Sequence, residues 1–102
     1  MSATSTHVQN NSVGPVLRPG ELALAVVEAA REDNPGREVV VADHVAYIRV
    51  SVQGECLLRR DTIERHLGRP FLLAELEVDL AAIAGQLDVN ESRMRFYFNK
   101  TE

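Results

Sequence analysis

The sequence predicts one small domain that mixes helices and strands. Its 102 residues are 45% apolar, enough to form a single core. Apolar residues recur at helical spacing in Leu22, Val26, Ala29 and Ala30. They alternate one by one in Val45 to Val52 and in Arg93 to Phe98, the period of a half-buried strand.

Residues 1–12 are mostly Ser, Thr, Asn and Gln, so this leader cannot offset its own ordering entropy and is expected to be mobile. It carries no apolar run that would serve as a signal peptide. The domain proper is expected to span residues 13–102. Val13 to Arg18 reads as a strand, and Pro15, lacking an amide donor, places it at a sheet edge or at its own beginning. A helix opens after Pro19-Gly20, with Glu21 at its positive dipole end, and Asp33-Asn-Pro-Gly36 stops it.

Strands follow at Glu38 to Val41 and at Val45 to Val52, the second with Ala46, Ile48, Val50 and Val52 on its apolar face. Gln53-Gly54 is expected to turn the chain, so that Glu55 to Arg59 pairs back as a hairpin arm. Asp61 is a candidate cap for a short helix ending at Leu67-Gly68. From Leu72 to Leu87, the stripe Leu73, Leu76, Leu80, Ile83, Leu87 favours helix, at least in the first half. Asp88 to Ser92 reads as a turn and Arg93 to Phe98 as the last strand, whose Phe96-Tyr97-Phe98 should close the core.

The formal charge of -4 offers no basic field for phosphate backbones or anionic membranes, so neither is an expected partner. No stretch reaches the roughly 18 apolar residues that span a bilayer, and a cytoplasmic location is expected. Cys56 is the single cysteine, set in a strand beside Glu55, and reads as a buried, inert thiol. His7, His44 and His66 share no metal-ligand spacing, and the glycines form no phosphate-cradling motif. Glu75 with Glu77, and Glu32 with Asp33, are solvent-facing carboxylates with nothing to split their roles into acid and base. No catalytic residue, cofactor or metal is expected. A binding or regulatory role follows by elimination.

Seven segments sharpen that reading by their collinear order. They are Asn10-Asn-Ser-Val-Gly-Pro-Val-Leu-Arg18, Asp33-Asn-Pro-Gly36, Ala46-Tyr-Ile-Arg49, Leu67-Gly-Arg-Pro-Phe71, Leu76-Glu-Val-Asp-Leu-Ala81, Ala84-Gly-Gln-Leu87 and Arg95-Phe-Tyr-Phe-Asn-Lys100. Over roughly residues 8 to 101 the chain resembles the effector (coupling or regulatory) proteins of bacterial multicomponent diiron monooxygenases, those of toluene monooxygenases above all. Two departures, Ser12 for a third Asn and His44-Val45 for a more basic pair, bear on which hydroxylase is the partner.

The resemblance implies an α+β fold: two small, mainly antiparallel sheets forming a corner filled by two or three helices. It implies that much of Val78 to Leu87 is strand, with Gly85 at a bulge or close backbone approach. It also implies a cofactor-free, non-catalytic subunit that binds the diiron hydroxylase and tunes turnover, coupling and regiospecificity of aromatic ring hydroxylation. A Rieske-type ferredoxin and a reductase would complete that system.

Given that role, the candidate hydroxylase contacts are Asn10, Asn11, Ser12, Val13, Gly14 and Pro15 of the leader and its anchor. To these are added the turn Asn34, Pro35, Gly36, the strand pair Tyr47 and Arg49, and the segment Arg69, Pro70, Phe71. The competing readings are a small-ligand-binding α+β regulatory domain, a minimal enzyme using His44 or His66 as base, and an effector of a phenol or alkene monooxygenase.

Overall fold

The computed structural model describes residues 11–98. The order is β1 (Ser12–Leu17), α1 (Glu21–Asp33), β2 (Val39–Asp43), β3 (Ile48–Gln53), β4 (Glu55–Arg59), α2 (Arg60–Leu67), α3 (Leu73–Asp79), β5 (Leu80–Ala84), β6 (Gln86–Val89) and β7 (Arg93–Tyr97). The strands form two antiparallel sheets, ordered β2-β3-β1-β5 and β4-β7-β6. The fold is α+β, as the resemblance implied.

Two glycines make the corner between the sheets. β3 runs into β4 across Gly54 (φ 83), and β5 runs into β6 across Gly85 (φ 94). Each strand changes sheet at one residue, in a backbone region where a side chain is strained. At Gly85 the approach is also tight: a Cβ there would lie 2.6 Å from Val13 Cγ1 and 2.7 Å from the Tyr97 carbonyl. The close backbone approach implied for Gly85 is therefore present. The expected hairpin across Gln53-Gly54 is not, because β4 pairs with β7 and not with β3. A turn signal of two residues reports a change of direction, not which strand lies beyond it.

Pro15 corrects a second expectation. β1 is an interior strand, flanked by β3 and β5. Its register to β3 runs through Ser12↔Gln53 and Val13↔Val52, skips Gly14 and Pro15, and resumes at Val16↔Arg49. With no N–H to give, Pro15 interrupts the ladder. Gly14 absorbs the gap, since the Val50 carbonyl sits where its Cβ would be, 2.1 Å away.

Other boundaries shift for local reasons. The strand expected from Val45 begins at Ile48, and Val45 to Tyr47 form the hairpin tip between β2 and β3. Asp61 is not the cap of α2; Arg59 is the N-cap residue, with no side-chain cap bond. Asp33 at the end of α1 accepts instead, from Arg59 N–H at 2.8 Å and from the Thr62 hydroxyl at 2.8 Å. Gly68 ends α2 in the left-handed region, as expected. The stripe from Leu72 is helix only to Asp79 and strand from Leu80, so the helical and strand readings each hold for part of it. Asp88 and Val89, expected in a turn, belong to β6.

The core lies inside the corner. Val13, Leu17, Ile48, Val50 and Val52 face it from the first sheet, and Cys56, Leu58, Met94 and Phe96 from the second. Leu22, Val26, Ala29 and Ala30 close it from α1, with Ile63, Phe71 and Leu76 completing it. Of the terminal aromatic triplet only Phe96 enters; Phe98 is 38% exposed.

Candidate docking surface

The described residues hold little that could do chemistry. Cys56 is fully buried, and desolvation first, then the charge of Asp33, push its thiol up to about 12. Such a thiol is neither nucleophile nor ligand at neutral pH. Among the described residues no three His, Cys, Asp or Glu side chains converge as a metal-holding group. His66 Nε2 lies 2.8 Å from Glu32, whose carboxylate also takes Arg65 at 2.6 Å. Those contacts, Arg65 first and His66 second, hold Glu32 down at about 2. The cluster ties α1 to α2.

A four-stranded antiparallel sheet with its helices on one side leaves the other face to water, and that face is normally polar. Here the alignment places Val40 and Ala42 of β2 beside Ser51 and Arg49 of β3. Arg49 neighbours Val16 of β1, and Val16 neighbours Ala82 of β5. Ser12 and Gln53 continue the same face at its other end. Arg49 is its lone charged strand residue, in a chain that is 25% charged. Val40 is 51% exposed within it. A broad, nearly uncharged, small-residue face is suited to covering by another protein.

The hairpin tip continues that sheet beyond its rim. His44 N–H donates to the Tyr47 carbonyl at 2.9 Å, and the two rings meet in a tilted contact, centroids 4.7 Å apart and planes 31° apart. That bond carries the β2–β3 register one pair beyond Asp43↔Ile48, so Tyr47 and Arg49 lie two residues apart on the same side of the hairpin. Tyr47 is held in the tip, and Arg49 stands on the sheet.

A second open region is a groove of about 550 Å³ between the start of α3 and the β6–β7 turn. Leu72, Leu73, Ala74 and Val89 make its apolar wall, with Arg60, Glu77, Asn90 and Glu91 around them.

The other expected contacts divide sharply. Val13, Gly14, Pro15, Asn34 and Phe71 are buried in the chain itself. Asn34 is 6% exposed and bonded on both sides, to Ala30 and to Leu57, so it belongs to the fold's own network. Asn11 and Ser12 are half-buried: the Asn11 carbonyl accepts Gly54 N–H at 2.9 Å, and Ser12 Oγ reaches Gln53 at 3.5 Å. Pro35, Gly36, Arg69 and Pro70 are exposed. Arg69 reaches Glu75 at 3.2 Å and Glu21 at 3.8 Å, bridging the starts of α3 and α1. Asn10 lies outside the described residues.

What the residue reading missed is the apolar surface. Val45, Val78, Leu24 and Leu72 are 89%, 72%, 63% and 62% exposed. Alternation through Val45 to Val52 hid Val45 as a strand residue. Asp43 was the available signal, because an Asx side chain bonding two residues on closes a turn. It does so here, accepting Val45 N–H at 3.0 Å.

Known proteins resemble this chain along most of its length. The sequence profile of the MmoB/DmpM family matches residues 11–97. An effector subunit of the alkene monooxygenase system of Xanthobacter autotrophicus is 41% identical over 97 residues, covering 95% of this chain and 96% of that one. The phenol 2-monooxygenase stimulatory component DmpM of a Pseudomonas species is 40% identical over 71 residues, covering 70% of this chain and 77% of its own length. Among solved structures, a chain of a phenol hydroxylase–regulatory protein complex superposes with a TM-score of 0.75 at 26% identity, covering 86% of this chain and 99% of that chain. The regulatory protein B of soluble methane monooxygenase shares the fold, with a TM-score of 0.66 at 21% identity, covering 86% of this chain and 65% of that chain.

Proposed function

The chain belongs to the MmoB/DmpM family of multicomponent-monooxygenase effectors, and we propose that it acts by docking on a diiron hydroxylase and favouring its active conformation. Its relatives are named effector, stimulatory and regulatory components, not catalytic subunits. The observation that carries the proposal is the outer sheet face, where Arg49 is the lone charged strand residue among the described residues and Val40, Arg49, Gln53 and Ala82 are exposed.

A protein without reactive groups acts only through differential affinity for two conformations of its partner. Moving a hydroxylase from 1:99 to 99:1 takes about 5.5 kcal/mol of such difference. A standard interface of about 1,600 Å² can hold that much if part of it forms only on the active conformer. We assign part of it to the leader, whose Asn10, Asn11 and Ser12 offer hydrogen bonds to partner backbone. Pro35, Gly36, Arg69 and Pro70 are exposed and available for contact, as is Arg49 on the sheet face, with the half-buried Tyr47 available in the tip. The acidic balance of the chain supports steering toward a basic hydroxylase surface, with association that weakens in salt.

The oxygenase we assign is one that hydroxylates an aromatic ring, of the toluene monooxygenase kind, supplied with electrons by a Rieske-type ferredoxin and a reductase in the cytoplasm. Effector service to an alkene or phenol monooxygenase is the second reading, favoured by the two relatives at 41% and 40% identity. Reconstitution decides between them. The chain is titrated into purified diiron hydroxylases of the toluene, phenol and alkene monooxygenase kinds, and turnover and product ratio are followed with toluene, phenol and a short alkene. Saturable stimulation near equimolar ratio is expected; turnover by the isolated chain, or none in the reconstituted system, refutes the effector role. Removing residues 1–11 should raise the concentration needed for half stimulation, and unchanged stimulation rules out a role for that segment.

A further inference from the structure

The hairpin tip between β2 and β3 carries a strained residue that the fold does not use. Val45 has a positive φ of 68, the only non-glycine residue so placed among the described residues. Ala46 N–H closes on the His44 carbonyl at 2.6 Å around it, which makes a three-residue γ-turn. The positive-φ form of that turn is rare and strained, and a β-branched side chain makes it worse. Among the described residues its side chain gains no packing in return. Val45 is 89% exposed, the most exposed large apolar residue of the fold.

The tip is nevertheless well braced. Asp43 Oδ1 accepts Val45 N–H at 3.0 Å, His44 N–H donates to the Tyr47 carbonyl at 2.9 Å, and the His44 and Tyr47 rings are in tilted contact. A braced, strained turn presenting an isopropyl group to water is costly twice over, in backbone energy and in hydration. Such a cost persists where a partner uses the shape, and bracing before contact removes ordering entropy from the binding step. The tip also extends the nearly uncharged sheet face, so one partner can cover both.

We infer that Val45 is a preformed docking knob, inserted into an apolar recess of the hydroxylase, with the adjoining His44 and Tyr47 rings as its flanks. This inference rests on the effector reading and adds the residue that anchors the complex. It predicts opposite signs for stability and binding at one position.

The test is Val45→Asn, since Asn tolerates positive φ while removing the apolar group. Its thermal unfolding midpoint, measured on the isolated chain, should equal or exceed that of wild type. Its half-saturating concentration in hydroxylase stimulation should rise roughly ten-fold or more, the scale of an anchor residue. Val45→Ile, which keeps the apolar branched side chain, should stimulate as wild type does. Wild-type half-saturation by Val45→Asn overturns the knob. A lowered midpoint for Val45→Asn overturns the strain on which it is built. Absence of stimulation by the wild-type chain would instead refute the effector reading, and the stability comparison would still stand.

Discussion

Asn34 stands in for a missing strand beside Leu57. Its Oδ1 accepts the Leu57 N–H at 2.8 Å and its Nδ2 donates to the Leu57 carbonyl at 2.9 Å. The outer edge of β4 is completed by neighbours of the same segment. Asp33 takes the Arg59 N–H, and Arg37 gives to the Glu55 carbonyl at 3.3 Å. An edge strand that would otherwise invite pairing is closed by side chains at the end of one helix.

Replacing Asn34 with Ala should therefore cost more than a lost surface turn. It strands the Leu57 amide and carbonyl in a half-buried site and removes a bond to the Ala30 carbonyl. We expect a loss of about 2–4 kcal/mol in denaturant unfolding, with little change in slope. A loss below half a kcal/mol would mean that water replaces the amide freely.

The two kinds of glycine should separate cleanly. Gly85→Ala meets Val13 and the Tyr97 carbonyl at under 3 Å as well as an unfavourable φ, and should cost about 2–4 kcal/mol. Gly36→Ala, at φ 80 with nothing within 4 Å, should cost only about 1 kcal/mol. Equal losses in chemical denaturation would contradict the close packing at the corner.

Acid should loosen the α1–α2 contact through Glu32. Its carboxyl is lowered from 4.5 to about 2, by Arg65 first and His66 second. A depressed carboxyl stabilises the fold fully above its unfolded value and loses that contribution as pH falls through the folded one. The stability gap between wild type and Glu32→Gln should thus be constant above pH 4.5 and shrink as pH drops toward 2. The contact is exposed, so added salt should narrow the gap at neutral pH as well. A gap that widens on acidification would reverse the assignment.

Thiol labelling should report global unfolding. Cys56 is fully buried with its thiol raised to about 12, so a disulfide reagent at neutral pH should label it only as fast as the fold opens. Rapid, complete labelling in native buffer would show that β4 opens locally.

How far the residues alone led depends on the range of the interaction. Helical spacing in Leu22, Val26, Ala29 and Ala30 located α1, whose stop at Asn34 is local chemistry. Alternation placed Ile48, Val50 and Val52 in the core, and the strand position of Cys56 beside Glu55 pointed to the buried thiol that is found. Yet Asn34, expected in an exposed turn, is held by Leu57 across 23 positions, and no local pattern contains that bond. The same holds for Phe71, whose motif looked like surface and whose ring is core. Val45 escaped for the opposite reason: its neighbours fit a strand period, and only the turn geometry exposes it.

The sequence by itself located the first helix, the strands around Ile48 to Val52 and Arg93 to Tyr97, and the family, because periodicity, turn residues and collinear motifs can be read along the chain; it left Leu80 to Leu87 open between helix and strand. Tertiary structure alone decided that Pro15 lies on an inner strand, that β3 and β4 belong to different sheets, and that Val40, Ala42, Ser51 and Arg49 share one sheet face. Those outcomes depend on which distant backbone groups meet. A strand's alternation specifies the face it buries but not the neighbour that completes its hydrogen bonds.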